Sequence, residues 1–127
     1  MKSVATFSLF ILLAFTSLSA GDPVEVDAEK ASVLLASGEK VTVLDIRTPE
    51  EFAEGHLKEA VNVDFTGDNF ESQLAKLDPA KPYLVHCAAG GRSGKSMEVF
   101  KKLKFTKIYH LNDGYNGWSD AGKPVVK

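Results

Sequence analysis

The chain has little sulfur and no long run of like charge, and each scarcity closes off a class of protein. Cys87 is the one cysteine among 127 residues, so no intrachain disulfide forms and the core must hold the fold. A single thiol and the scattered His56, His86 and His110 offer no metal-ligand spacing, and neither a metal nor another cofactor is expected. The formal charge is −2, with no long basic run and no interleaved basic and aromatic stripe, so the electrostatic footprint of a nucleic-acid partner is missing. Internal repeats, low-complexity tracts and linkers are also lacking. What is present, 44% hydrophobic and 25% charged residues, is the composition of one globular domain that needs no staples.

The start of the chain stands apart. Lys2 opens a segment whose Val4 to Leu18 portion is uncharged and rich in Phe, Leu and Ile, and small residues gather from Ser17 to Gly21. This is the pattern of a secretory signal peptide over residues 1–20. About 15 apolar residues fall short of the roughly 20 that span a bilayer. The expectation is cleavage near Ser19 to Gly21, a mature domain over 22–127, no membrane association afterwards, and export to a periplasm or beyond the cell. Loss of Lys2 leaves 14 basic against 17 acidic residues, a mature charge of −3. The compartment beyond the membrane is usually oxidising, and a lone cysteine kept there is either buried or employed.

The stretch Tyr83 to Ser96, YLVHCAAGGRSGKS, surrounds that cysteine. An apolar run ends at Cys87, then come Ala88, Ala89, Gly90 and Gly91, then Arg92 and Ser93. From Lys95 to Leu103 the spacing of Met97, Phe100 and Leu103 is helical. A strand, a tight loop and a helix follow from this pattern. So small a loop can curl until its backbone N–H groups converge on one point, where the helix N-terminus adds partial positive charge. A thiol at that point is expected to ionise near neutral pH. A buried structural cysteine is the competing reading, but it accounts for neither the glycine pair, nor Arg92, nor the Ser93 hydroxyl placed to cap the helix.

The rest of the chain alternates short strands and helices. Strands are expected at Val24 to Val26, Val41 to Asp45, Ala60 to Phe65, up to Cys87, and Lys107 to Leu111. Helices are expected over Ala28 to Ala36 behind Asp27, over a short stretch opened by the capping box Thr48-Pro49-Glu50-Glu51, over Asn69 to Leu77, after the cysteine loop, and over Tyr115 to Ala121. Such alternation with brief connections implies an α/β domain, its central five-stranded sheet mostly parallel, with helices on both faces. Ligands of open parallel sheets bind beyond the carboxyl ends of the strands, where Cys87 falls.

Three motifs now carry a resemblance. Leu44-Asp45-Ile46-Arg47-Thr48-Pro49-Glu50-Glu51-Phe52 with Gly55-His56-Leu57 and Ala60-Val61-Asn62 resembles the N-terminal signature of the rhodanese domain. Cys87-Ala88-Ala89-Gly90-Gly91-Arg92-Ser93 is similar to its active-site loop, and Gly114, Trp118, Gly122, Pro124 and Val125 match its C-terminal pattern. The resemblance covers roughly residues 24 to 126, with one departure, Asp113, where many relatives carry a glycine. It implies a rhodanese-like fold and a sulfurtransferase that takes sulfane sulfur from a donor such as thiosulfate onto Cys87 as a persulfide and passes it to cyanide or a thiol, or to a protein acceptor. In that reading the chain is a monomer, Cys87 is the nucleophile, and the amides from Ala88 to Ser93 hold the anions.

Arg92 is expected to bind the anionic end of the donor, ahead of the alternative that it braces the loop against a carboxylate. Asp45 and Arg47 read as a structural ion pair supporting the loop. His56 reads as a packing residue, and His86, by strand alternation, points away from the pocket. Two other readings stand beside the transferase. One is a cysteine-based phosphatase or arsenate reductase, although such phosphatases place one more residue between Cys and Arg than the four here. The other is a non-catalytic binding module, although such relatives commonly lack the cysteine.

Overall fold

A computed structural model of the chain describes residues 21–127; the expected signal peptide lies outside the described residues. Five strands form one all-parallel sheet: β1 (Val24–Val26), β2 (Thr42–Asp45), β3 (Val61–Asn62), β4 (Pro82–His86) and β5 (Lys107–Leu111), in the order β1-β5-β4-β2-β3. Five helices connect or follow them: α1 (Ala28–Ala36), α2 (Pro49–Glu54), α3 (Phe70–Leu74), α4 (Gly91–Lys102) and α5 (Gly114–Asp120). The α/β class, the five-stranded parallel sheet and the helices on both faces agree with the sequence.

Two apolar layers sandwich the sheet. On one face Leu44, Ile46, Tyr83, Val85 and Cys87 pack against Phe70 and Leu74 of α3 and Phe100 of α4. On the other, Val43, Leu84 and Leu111 pack against Ala28 and Ala31 of α1 and Trp118 of α5. Alternation along β4 thus sends Val85 and Cys87 to the α4 side and Leu84 to the α5 side. This parity decides what reaches the sulfur.

Several helix ends are set by the chemistry expected of them. Asp27 accepts from the Lys30 amide at 2.8 Å and caps α1. Thr48 and Glu51 form a reciprocal capping box at α2, with Pro49 at its first position. Two elements are shorter than the sequence suggests. β3 holds only Val61 and Asn62 because Asp64 accepts from the amide and hydroxyl of Thr66, turning the chain out of the sheet. α3 stops at Leu74, and the amides of Lys76 and Leu77 bond back three residues in tighter turns before Asp78-Pro79. α4 is longer than its apolar spacing implies. It starts at Gly91, four residues before Lys95, because the polar first turn has no apolar residue to announce it.

Candidate active site

Cys87 follows the last residue of β4, at the carboxyl edge of the sheet, with 1% of its surface exposed. The chain then turns through Ala88, Ala89 and Gly90 into α4. Gly90, not a serine, occupies the N-cap, in the left-handed region at φ 99°. A side chain there would be strained and would also collide with the Asn112 carbonyl. This conformation aims the Gly90 N–H at Cys87 Sγ, 3.1 Å away.

The loop is held from behind by α5. The Tyr115 amide donates to the Cys87 carbonyl at 2.8 Å and the Asn116 amide to the Ala88 carbonyl at 2.9 Å. With these carbonyls drawn to the start of α5, the amides that follow face the sulfur. Burial pushes the Cys87 thiol up, but the Ser93 hydroxyl and the amides of Ser93, Gly90 and Ala89 outweigh it, so the net shift is downward from the ordinary thiol value. The dipoles win over desolvation, as the loop composition suggests.

Ser93 does not cap the helix. Fully buried on the first turn of α4, its Oγ lies 3.3 Å from Cys87 Sγ and 2.7 Å from His110 Nε2. Ser96, also buried, donates back to the Ser93 carbonyl at 2.6 Å.

Arg92 points elsewhere. Its guanidinium grips Glu51 in a fork, Nη1 to Oε1 at 2.7 Å and Nη2 to Oε2 at 3.0 Å. Glu51 Oε1 also accepts from the backbone and hydroxyl of Thr48. The same carboxylate therefore completes the α2 capping box and anchors the cysteine loop. Its pKa is lowered from 4.5 to about 2, first by the Arg92 hydrogen bond and then by Thr48, against some desolvation. Of the two roles open to Arg92, bracing is the one the structure displays. Glu51 was visible in the sequence as a capping residue, but nothing local linked it to a residue 41 positions on.

Asp45 and Arg47 form the ion pair expected of them. Arg47 donates to Asp45 through Nε at 2.9 Å and Nη2 at 2.6 Å, and through Nη2 to the Gly55 carbonyl at 2.7 Å. Both are buried, and the guanidinium lies 4.0 Å above the Tyr115 ring. The pair thereby ties the turn after α2 to the helix that holds the loop. His86 faces away from the sulfur, donating through Nδ1 to the Cys87 carbonyl at 2.9 Å. Its Nε2 is 3.8 Å from Asp45 Oδ2, an approach too long for a hydrogen bond, and has no other partner. Burial, opposed mainly by Asp45, keeps the ring neutral by lowering its pKa. His56 stacks on Phe52 and bonds its carbonyl at 2.9 Å, a packing role.

Two residues escaped the sequence reading altogether. His110 of β5 and Glu25 of β1 are register partners in adjacent strands, and His110 is also the register partner of Val85. Both side chains thus stand on the face where Cys87 meets α4. The His110 Nδ1 lies 2.8 Å from Glu25 Oε2 and 3.0 Å from Oε1. Strand parity would have placed them, but only once the strand order was known.

A groove of about 670 Å³ lies away from this loop, at the amino end of β2 between Val41, Leu57 and Trp118. Among the described residues, no cluster of histidine, cysteine and carboxylates is arranged to hold a metal, and no helix is long and apolar enough to cross a membrane.

The model of a family described as "Rhodanese-like domain" matches residues 27–121. The chain belongs to the rhodanese-like family. It is 32% identical to thiosulfate sulfurtransferase 18 of Arabidopsis thaliana, over 87% of this chain and 88% of the relative. It is 26% identical to a sulfurtransferase of Allochromatium vinosum, over 80% and 94% of the two chains. The crystal structure of a rhodanese-related protein from Thermoplasma volcanium superposes with a TM-score of 0.68 at 27% identity, covering 81% of this chain and 97% of the other. The rhodanese-like fold inferred from the three motifs is thus confirmed. The Arabidopsis and Allochromatium relatives are named as sulfurtransferases, whereas another from Arabidopsis thaliana, 32% identical over 76% of this chain and 62% of its own length, is named Protein HIGH ARSENIC CONTENT 1, mitochondrial.

Proposed function

We propose that this rhodanese-like protein is an exported sulfurtransferase that moves sulfane sulfur from an anionic donor such as thiosulfate to cyanide or a thiol, working as a monomer through a persulfide on Cys87. The observation that carries the reading is the convergence of the Gly90 amide and the Ser93 hydroxyl on a thiol whose ionisation is favoured. The Cys87 thiolate attacks the outer sulfur of thiosulfate. A bond forms from Cys87 Sγ to that sulfur while the old S–S bond breaks, its electron pair leaving with sulfite. The persulfide anion then occupies the neighbourhood of the same amides. Cyanide attacks the outer sulfur, thiocyanate leaves, and the thiolate returns.

The loop serves each stage by presenting N–H groups to an anion without reorganising. The four residues between Cys87 and Arg92 favour a cradle sized for sulfur over the longer loop of the phosphatases. Export is supported by the sequence of residues 1–20 alone, and N-terminal sequencing of the purified protein is expected to begin between Ala20 and Asp22. The decisive experiment is mass spectrometry after incubation with thiosulfate. One added sulfur on Cys87, removable by cyanide, is expected; an unmodified cysteine with undiminished transfer would overturn the covalent route.

A further inference from the structure

The groups behind Cys87 form a line of which the persulfide chemistry above uses only Ser93. Sγ lies 3.3 Å from Ser93 Oγ, Ser93 Oγ lies 2.7 Å from His110 Nε2, and His110 Nδ1 lies 2.8 Å from Glu25 Oε2. We propose that Ser93, His110 and Glu25 are a proton relay, which draws the proton of the Cys87 thiol inward and then aims the Ser93 hydroxyl at the resulting thiolate. This deepens the sulfurtransferase reading and rests on it.

The hydrogen-bond directions allow two internally consistent states. In the thiol state the Glu25 carboxylate accepts from His110 Nδ1–H, which leaves Nε2 bare to accept from the Ser93 hydroxyl, whose oxygen faces the thiol S–H. To ionise, the S–H proton passes to Ser93 Oγ while the Ser93 proton passes to His110 Nε2. One S–H bond breaks, one N–H bond forms, and the serine is regenerated. In the thiolate state Nε2–H donates to Ser93 Oγ, and the Ser93 hydroxyl donates to the sulfur. A charge-assisted bond to the thiolate thus appears only when His110 has taken the proton.

The placement follows from the sheet. Cys87, Val85, His110 and Glu25 share one face by parity and register, and α4 lowers Ser93 onto that face. The sulfur, Ser93 and His110 are buried, whereas the Glu25 side chain is 55% exposed. The line therefore runs from a buried thiol to a wetted carboxylate, and the proton has an exit to water. The groups bearing on His110 are Glu25 from β1, Ser93 from α4, Cys87 at the end of β4, and neutral His86 of β4, which senses the His110 charge. His110 and Glu25 act through Ser93 and are positioning residues.

The test reads thiol ionisation directly, so it stands apart from sulfur transfer. Thiolate absorbance and iodoacetamide alkylation of Cys87 are followed across pH in the wild type, His110→Gln, Glu25→Gln, Ser93→Ala and the Ser93→Ala/His110→Gln double variant. His110→Gln removes the proton acceptor while keeping an amide in its place. Its alkylation is expected to slow roughly tenfold at pH values where the thiol is partly ionised, the effect of losing one charge-assisted hydrogen bond, and to rejoin the wild type at alkaline pH. Glu25→Gln should show a smaller loss of the same form, and the double variant no more than the larger single loss. Slowing by the same factor at every pH, or additive losses in the double variant, would overturn the relay. In wild-type protein, long-range proton–nitrogen spectra of the His110 ring at alkaline pH should show Nδ1–H and bare Nε2; the opposite tautomer would overturn it even if the variants fail to fold.

Discussion

Gly114→Ala should damage the cysteine loop although residue 114 lies outside it. Gly114 opens α5 at φ 66°, in the left-handed region. A Cβ built there overlaps the Ala88 carbonyl oxygen and falls 2.5 Å from the Ala88 carbonyl carbon and 2.8 Å from the Ala89 nitrogen. The left-handed conformation costs a non-glycine residue roughly 1–2 kcal/mol. The overlap is with a peptide unit and not with a pliable side chain, so relief means moving α5 off the loop, for which roughly 1–3 kcal/mol is a fair overpacking cost. The sum, about 2–5 kcal/mol, is a large part of the roughly 5–15 kcal/mol that holds an ordinary domain together. Moving α5 also pulls the Tyr115 and Asn116 amides from the carbonyls of Cys87 and Ala88, which frees the loop to rotate its N–H groups away from the sulfur. Urea unfolding should therefore show the full destabilisation, and alkylation of Cys87 should need a higher pH than in the wild type. Gly94→Ala is the companion variant. Its Cβ meets open space within α4, and it should gain about 0.5–1 kcal/mol. If Gly114→Ala unfolds within about 0.5 kcal/mol of the wild type, the close approach of α5 to the loop is not what shapes the site.

Cys87→Ser should abolish transfer from thiosulfate to cyanide with the urea midpoint nearly unchanged, because serine is close in size but does not ionise; residual turnover at the wild-type rate would exclude this nucleophile. Asp45→Asn should cost about 3 kcal/mol in urea unfolding, since it strips a buried guanidinium of its counter-charge, and a loss under about 1 kcal/mol would show that Gly55 and Tyr115 alone satisfy Arg47. Glu51, ionised down to about pH 2 in the folded chain against 4.5 for the free group, contributes stability that is present above pH 4.5 and is lost as pH falls towards 2. Because the pair is about a third exposed, that contribution is set at about 1 kcal/mol, and Glu51→Gln should erase this part of the acid dependence of unfolding. Inserting one glycine between Ala89 and Gly90 should reduce sulfur transfer; undiminished transfer would mean that cradle size does not select sulfur.

How far the sequence reaches depends on the range of the force involved. β5 and α1 have the bounds read from their residues, because a short run of apolar and aromatic residues, Asp27 and helical spacing act locally. The placement of Cys87 in a loop between strand and helix was legible for the same reason, since strand end, glycine pair and helix start are consecutive. Local reasoning failed for Ser93, whose hydroxyl is a plausible cap until Gly90 takes that place and His110 arrives 17 residues later to claim it. It favoured the donor as the partner of Arg92 because the carboxylate that holds it, Glu51, sits on another helix. His110 and Glu25 come together only through the strand order, which puts the first strand beside the last.

The recessed position of Cys87 also bears on how the protein survives oxidation. A disulfide requires two sulfurs about 2.05 Å apart at a fixed dihedral angle, and a thiol with 1% of its surface exposed cannot offer that geometry to the same thiol in a second copy. The chain therefore resists cross-linking into covalent dimers while its sulfur remains ionisable. In the proposed persulfide, a second sulfur adds one S–S bond length, about 2 Å, of reach. Under the proposed chemistry the resting cysteine is sheltered while the added sulfur extends beyond it, so that a slim acceptor would meet the transferred atom before the residue that carries it.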